Sequence, residues 1–226
     1  MKVAQLTAAE IVMDVMEGKN LNKVFQKYSH ENKINPKDIS QIKDLVFGTL
    51  RAYGKTKFVI NRLVKRIPSN PLILTLLHIA LFQLIFNRSN SYTVVDQAVS
   101  ASNMINKRHT KFINGVLRTF LREKVSILKK AEKIDEAKYS YPIWWINLIK
   151  NEYPKSCNNI LDIGNSHPPL IIRVNIKKGS ISKYIQKLEK HNIEHLYLGM
   201  EAILIKKPMP IDSLPGFKEG EVSIQD

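Results

Sequence analysis

Two groups of basic residues are the part of this 226-residue sequence whose types and spacing point most directly to chemistry. One group surrounds Gly54 and is interleaved with Tyr53 and Phe58, and the other fills a turn and the helix predicted after it. Their members are Arg51, Lys55, Lys57, Arg62, Lys65 and Arg66 in the first group and Lys107, Arg108, Lys111, Arg118 and Arg122 in the second. Cations ordered on a rigid scaffold match a phosphate backbone, so we expect both groups to hold phosphates.

The second group has helical spacing. Lys111, Arg118 and Arg122 are separated by seven and four residues, which places them on one face of a helix. A solvated helix face is the plain alternative for each group taken alone. The regional excess of basic residues favours binding.

Three other patterns resemble sites without completing one. Residues 159–164, NILDIG, resemble the first motif of a nucleotide-binding sheet, but one glycine followed by prolines cannot approach a cofactor, so we expect a helix end. His191 and His195 have a metal-ligand spacing, yet the helix is expected to end between them and no third ligand is near in sequence. Cys157 has no base nearby in sequence. The sequence predicts no catalytic, cofactor or metal site.

Charge is distributed unevenly along the chain. Residues 1–140 contain 24 Lys and Arg against 11 Asp and Glu, and residues 141–226 contain 11 against 9. A sequence pI near 9.8 points to nucleic acid first and to an anionic membrane second. The break in charge suggests two domains, at 1–138 and 139–226.

Residues 1–138 have the apolar spacing of helices throughout. Thr7 and Glu10 have capping-box spacing, and Asn35-Pro36 and Asn70-Pro71 are helix starts. The apolar run at residues 72–86 is too short for a bilayer and indicates a central bundle helix. Helices are predicted at about 8–17, from Asn20, from Pro36 to a break at Gly54, and at 58–67, 71–86, 93–106 and 110–123.

Residues 139–226 have a different pattern. Two short helices, IWWINLIK and one after Pro154, precede a predicted strand at 170–176 and a helix from Ser180 to about His191. Apolar runs at 194–198 and 202–205 indicate two more strands. The fold class is therefore mainly α, with a small α/β module after an all-helical domain.

Long collinear motifs carry a family resemblance. KDLVFGTLRAYG, LLHIALFQLIF, YTVVDQAV and KFINGVLRTFLRE, in this order, resemble the NusB-type RNA-binding domain over about residues 5–125. YSYPIWWINLI, HPPLIIRVNIKKG and LPGFKEGEVSIQD resemble the segment that precedes the catalytic domain in the Sun/Fmu (RsmB-type) ribosomal RNA cytosine-5 methyltransferases. In that family this segment is a ferredoxin-like, RRM-like module.

The resemblance implies a division of labour. Such enzymes bind S-adenosylmethionine in a Rossmann-type domain with two working cysteines, and Cys157 matches neither. We therefore expect this chain to position ribosomal RNA for a methyltransferase domain that it lacks, to bind no cofactor itself and to be inactive alone. The resemblance implies that Arg173 and Asn175 face the RNA or that missing domain, although Arg173 has an equally simple reading as a strand-end arginine.

Two other functions remain open. The chain is alternatively a non-enzymatic adaptor in transcription antitermination, although residues 139–226 would then be an unexplained addition. A peripheral membrane protein is the weaker possibility, because the apolar helix faces are expected to be used by the bundle. Without an apolar leader or paired cysteines we expect a cytoplasmic monomer that does not bind membranes.

Overall fold

The computed structural model describes residues 4–31, 36–86, 89–166, 168–207 and 209–225. The chain divides into two compact units, Met1–Asn165 and Ser166–Asp226. The first unit is helical, and the second combines a four-stranded sheet with a helix. The predicted fold class is confirmed.

The first unit is built from ten α-helices in the part of the chain that the structure describes. In chain order they are α1 (Ala4–Met16), α2 (Leu21–Glu31), α3 (Pro36–Arg51), α4 (Tyr53–Leu63), α5 (Pro71–Ile85), α6 (Ser91–Ile105), α7 (Thr110–Ala131), α8 (Asp135–Tyr139), α9 (Ile143–Glu152) and α10 (Cys157–Asn165).

Helix α5 is the centre of this bundle. One side packs Leu76 and Ile79 with apolar residues of α1, α2 and α3, and the other packs Leu77 and Leu81 with α4, α6 and α7. A helix buried on both sides has no polar face, which explains why this segment reads as a continuous apolar run.

Capping residues set several helix ends as predicted. The Asn70 side chain accepts hydrogen bonds from the backbone N–H groups of Leu72 and Ile73 at 3.0 and 3.3 Å, directly before Pro71. Asn20 accepts one from Lys23 N at 3.2 Å at the start of α2. Asn35, the predicted cap of α3, lies outside the described residues.

Four predicted boundaries in the first unit were wrong. Helix α1 already includes Ala4, so Thr7 is not a cap but a helical residue that is 3% exposed. The break after α3 falls at Ala52, and α4 ends at Leu63 rather than Ile67, since the backbone is already extended at Val64. Helix α7 continues beyond Glu123 to Ala131.

Gly54 has a different role from the one expected. It lies in the first turn of α4, where α4 passes close to α8. A β-carbon at Gly54 would lie 2.8 Å from the Ser140 α-carbon, so only glycine permits this approach. The short helix α8 had not been predicted, and it fixes the far side of this contact.

Helices α8, α9 and α10 form a small cluster of their own around Tyr139, Ile146, Ile149 and Leu161. They belong to the first compact unit, which therefore extends 27 residues past the domain boundary predicted after residue 138. A compact unit and a domain are separate definitions, and the boundary at 138 remains a prediction.

The second unit contains β1 (Leu170–Val174), α11 (Ile181–Lys190), β2 (His195–Gly199), β3 (Ala202–Ile205) and β4 (Val222–Gln225). The sheet is antiparallel in the order β2-β3-β1-β4, with Ile172 opposite both Ile203 and Ile224. Strand β4 had not been predicted. On one face Ile172 and Val174 pack with Tyr184 and Leu188 of α11, and Arg173 lies on the other face.

Candidate nucleic-acid interface

Helix α7 presents a row of exposed cations. Lys111, Arg118 and Arg122 lie on one face, as their spacing predicted, and all three are exposed. Gly115 lies between them, and a β-carbon built there would meet no atom within 4 Å. The helix therefore offers a cationic surface that is open to a large ligand.

Neutral partners hold the two arginines. Arg118 Nε donates to Asn114 Oδ1 at 3.1 Å, and an Arg122 terminal nitrogen donates to Thr119 Oγ1 at 3.0 Å. Over the described residues no carboxylate forms an ion pair with either guanidinium. These neutral partners orient the two side chains without compensating their positive charge, which remains available for charge-assisted hydrogen bonds to phosphate.

A groove of about 420 Å³ joins the two predicted basic groups. Lys65 and Arg66, which follow α4, line it together with Lys111 of α7. Phe112 and Val116 supply apolar surface between them. Groups that are separated by about 45 residues in sequence thus reach one surface.

A second groove, of about 560 Å³, runs between α6 and α7. Arg118 and Arg122 line its α7 side, and Val95, Val99 and Leu121 supply apolar surface. A channel with cations along one wall suits a polyanion that also carries flat apolar groups.

The other residues of the first basic group differ in their exposure and in whether they form an ion pair. Arg51, Lys57 and Arg62 are exposed, and the Arg62 guanidinium lies 5.8 Å from the centre of the Phe58 ring. The Lys55 side chain is only 18% exposed and forms a 2.8 Å ion pair with Glu132. Its charge is already compensated, which weighs against the phosphate-binding role predicted for Lys55.

Lys107 and Arg108 lie in a short 3-10 turn that leads into α7, and both are exposed. Asn106 Oδ1 accepts the backbone N–H of Arg108 at 3.0 Å and so holds this turn. The two cations extend the basic surface beyond the start of α7.

The two predicted residues of the second unit are both engaged. Arg173 places Nε and a terminal nitrogen each 2.7 Å from Glu201 Oε2. Asn175 donates to the Gly220 carbonyl oxygen at 3.0 Å and accepts from Lys177 N at 3.2 Å, which ties the end of β1 to the turn before β4. The structure thus gives Asn175 a structural task and leaves its RNA contact a prediction.

A basic groove in the second unit was missed. Its volume is about 370 Å³, and its lining includes Lys178, Lys183, Lys187 and Lys190. Lys187 pairs with Glu221 at 2.7 Å, and Lys178 donates to the Glu219 carbonyl oxygen. The spacing of three of these lysines by four and three residues is the signal that could have revealed the groove.

A buried polar pair lies beneath the first basic group. The Thr56 hydroxyl and His78 Nδ1 are joined by a 2.6 Å hydrogen bond, and the Tyr53 ring stacks on the imidazole at 4.7 Å between centroids. Burial, with a smaller contribution from the charge of Lys57, lowers the pKa of His78 to about 4. His78 is therefore neutral near pH 7 and serves as a core residue.

The three patterns that resembled sites in sequence lie in or beside helices. Residues 159–164 lie within α10, with Gly164 against Tyr141, so they form no cofactor-binding turn. Helix α11 ends at Lys190, so neither His191 nor His195 lies within it. Cys157 lies 3.7 Å from the Pro154 carbonyl oxygen. In the described ranges no three His, Cys, Asp or Glu side chains are grouped to hold a metal, and no helix is long and apolar enough to span a bilayer.

Two family models match successive parts of the chain. The model of the NusB family matches residues 2–122, and the model of the RsmF/B-like methyltransferase ferredoxin-like domain matches residues 141–212. A solved structure, "Crystal Structure of PH0851", has a TM-score of 0.58 at 19% identity and covers 100% of this chain and 53% of its own. That likeness supports the fold.

Curated relatives agree with these matches. The probable ribosomal RNA small subunit methyltransferase B of Coxiella burnetii is 36% identical over 201 residues, which are 85% of this chain and 46% of the relative. Ribosomal RNA small subunit methyltransferase B of Pasteurella multocida is 30% identical over 97% of this chain and 49% of its own length. The chain thus spans about half the length of these relatives. With more than half of its residues matched, the chain belongs to the NusB family, and a ferredoxin-like domain of the RsmF/B type follows its NusB domain.

Proposed function

We propose that this chain is the RNA-recognition portion of a small-subunit ribosomal RNA (cytosine-5)-methyltransferase. The observation that carries the proposal is the α7 surface, where Lys111, Arg118 and Arg122 are exposed and free of ion pairs with the described carboxylates. The names of the relatives indicate that the RNA is small-subunit ribosomal RNA. The chain spans about half of their length, and we assign the catalytic domain to the other half.

Binding and chemistry are divided in this proposal. Phosphate contacts from α7 and the two flanking grooves set the position and register of the RNA without reading its sequence. Methyl transfer from S-adenosylmethionine to an unstacked cytosine is assigned to residues outside these 226, in a methyltransferase domain that this chain would contact. Residues 159–164, which resembled a cofactor-binding motif in sequence, are helical and do not form such a turn.

The proposal includes a setting for this activity. A cytoplasmic monomer without affinity for membranes suits a protein that grips ribosomal RNA through one basic surface. Steep dependence of binding on salt is expected, because phosphate contacts release condensed counterions.

The direct test is equilibrium binding of the purified chain to fragments of small-subunit ribosomal RNA, followed by fluorescence anisotropy from low to physiological salt. We expect tight binding at low salt that weakens steeply as salt rises. Indifference to ribosomal RNA at low ionic strength would contradict RNA recognition. Methyl transfer by the chain alone from labelled S-adenosylmethionine would contradict the division between binding and chemistry.

A second candidate is a non-enzymatic adaptor in transcription antitermination, which the NusB family match over residues 2–122 favours. The match of residues 141–212 to a methyltransferase-associated domain weighs against it. Affinity purification separates the two candidates. Copurification with transcription elongation factors, without ribosomal RNA, would support the adaptor.

A further inference from the structure

The α6 side of the 560 Å³ groove carries two side chains of the kinds that contact nucleobases. Tyr92 is 78% exposed, and Asp96 is exposed one helical turn further along. Because residues four apart share a helix face, both lie along the same edge of the groove. Neither belongs to the basic groups that the sequence singled out.

Asp96 is isolated in sequence. It is the only acidic residue between Asp44 and Glu123, a stretch that contains 12 Lys and Arg. Over the described residues no Lys or Arg nitrogen forms an ion pair with its carboxylate. A free carboxylate repels phosphate, so on a surface that binds nucleic acid it would face a group other than phosphate.

That other part is a base edge. An ionised carboxylate only accepts hydrogen bonds, and the donors that nucleobases offer include the exocyclic amino group of cytosine. An exposed tyrosine ring offers a flat face on which a base can stack. At the position of that amino group uracil carries a carbonyl, to which a carboxylate cannot donate, and the only donor on this edge of uracil is the ring N3–H at the neighbouring position.

The opposite side of the groove completes the set of contacts. Arg118 and Arg122 line it from α7, and Val95, Val99 and Leu121 provide the apolar surface between the two sides. A volume of about 560 Å³ is within the range of ordinary small-molecule sites, which is about 300–1,000 Å³. The groove therefore has cations for phosphate, a ring for stacking and an acceptor for an amino group.

We infer that the α6–α7 groove holds an unpaired nucleotide of the bound RNA and prefers cytosine to uracil. Tyr92 stacks on the base, Asp96 accepts a hydrogen bond from its exocyclic amino group, and Arg118 and Arg122 bind the adjoining phosphates. This inference rests on the proposed RNA-binding function and adds two properties to it, namely preference for single strands and discrimination between pyrimidines.

The test compares three labelled RNAs of equal length: oligocytidine, oligouridine and a duplex. We expect the unaltered chain to bind oligocytidine roughly 10-fold more tightly than oligouridine, the discrimination expected of one base-specific contact. Asp96→Asn should abolish this ratio, because the amide can also donate to the uracil carbonyl. Asp212→Asn removes an exposed acid of the second unit and should leave the ratio unchanged.

The stacking contact is tested separately. Tyr92→Leu should weaken binding of both single strands roughly 10-fold and leave duplex binding nearly unchanged, because only an unpaired base can stack on the ring. Tyr92→Phe should restore most of the lost affinity. Tyr153→Leu removes another exposed tyrosine of the first unit and serves as the matched control.

The outcomes distinguish this inference from the proposed function. Salt-dependent binding with equal affinity for oligocytidine and oligouridine, or an unchanged ratio in Asp96→Asn, would overturn the inference and leave phosphate binding intact. Equal losses for duplex and single strands in Tyr92→Leu would also overturn it. Absence of binding to any of the three RNAs would overturn the proposed function itself. Far-ultraviolet circular dichroism checks that each variant is folded.

Discussion

Arg118 on α7 and Arg173 on β1 are the same residue type, both exposed and both held by a rigid element, yet their surroundings differ. Arg118 bonds to the neutral side chain of Asn114, whereas Arg173 directs two nitrogens at the carboxylate of Glu201. An arginine compensated by a carboxylate has less to gain from phosphate. Whether a cation already forms an ion pair with a carboxylate is therefore a better indication of phosphate binding than its exposure.

This difference extends to the two units. In the second unit Arg173, Lys187 and Lys207 each pair with a glutamate, respectively Glu201, Glu221 and Glu194. On α7 and in the turn before it, no ion pair with Lys107, Arg108, Lys111, Arg118 or Arg122 is found among the described residues. We expect the first unit to supply most of the affinity for RNA.

Charge reversal tests this expectation most strongly. In the double variant Arg118→Glu/Arg122→Glu we expect RNA affinity to fall about 10³-fold, because two charge-assisted contacts of about 1.5–3 kcal/mol each are lost. Arg173→Glu in the second unit should change affinity only a few-fold. Fluorescence anisotropy at one fixed salt concentration measures both. Equal losses in the two variants would remove the distinction between the units.

The buried titratable groups predict opposite pH limits for the two units. In the folded first unit the pKa of His78 is lowered to about 4. As pH decreases from about 6.5 towards 4, His78 is protonated in the unfolded chain but not in the folded one, so the free energy of unfolding falls by up to about 3 kcal/mol. In the second unit burial, assisted by Glu221, raises the pKa of Tyr184 to about 12, so stability falls as pH rises from about 10 towards 12.

Urea unfolding at several pH values checks both limits. Far-ultraviolet circular dichroism is dominated by the helices and reports mainly the first unit, and amide signals of β1 to β4 in NMR report the second. His78→Gln should remove much of the acid dependence. Acid dependence that survives unchanged in His78→Gln would assign it to the carboxylates instead.

A third prediction concerns a variant in which the α7 cations gain a carboxylate partner, as the cations of the second unit have. Gly115→Glu places a carboxylate among Lys111, Arg118 and Arg122, in space that no atom occupies within 4 Å. RNA affinity should fall roughly 10-fold without loss of any cation, as expected for about one charge-assisted contact.

Gly115→Ala is the matched control for that variant. It should leave the charge unchanged and raise the free energy of unfolding by about 0.5–1 kcal/mol, because alanine is the better helix former. Equal losses of RNA affinity in the alanine and glutamate variants would assign the effect to shape rather than to charge.

The smallest effect is expected for the reverse change in the second unit. Glu201→Gln releases Arg173 from its carboxylate, and affinity for RNA should rise no more than about 3-fold, since exposed ion pairs contribute about 0–1 kcal/mol. The same binding assay measures it. A much larger gain would place the second unit against the RNA backbone.

Helical periodicity and caps were enough to predict most of the first unit. Asn70 caps α5 as expected, and the face shared by Lys111, Arg118 and Arg122 followed from their spacing alone. Both depend on residues within two or three turns of one helix. Such local relations are what a sequence pattern records.

Relations between distant segments could not be predicted in this way. The pairing of Lys55 with Glu132 joins two segments that are 77 residues apart, and the approach of α4 to α8 at Gly54 depends on tertiary packing. Strand β4 was missed because its partner, β1, lies about 50 residues earlier. The α6–α7 groove, with Tyr92 and Asp96, forms only where the two helices lie side by side.

The most direct test of the account is the salt dependence of RNA binding. For Arg118→Ala/Arg122→Ala, the slope of log affinity against log salt concentration should become shallower by about 1.4–1.8, because each phosphate contact contributes about 0.7–0.9. Arg173→Ala should leave the slope unchanged. A slope that is unchanged in the α7 double variant, or that falls as much in Arg173→Ala, would contradict the claim that the unpaired cations of α7 hold the RNA.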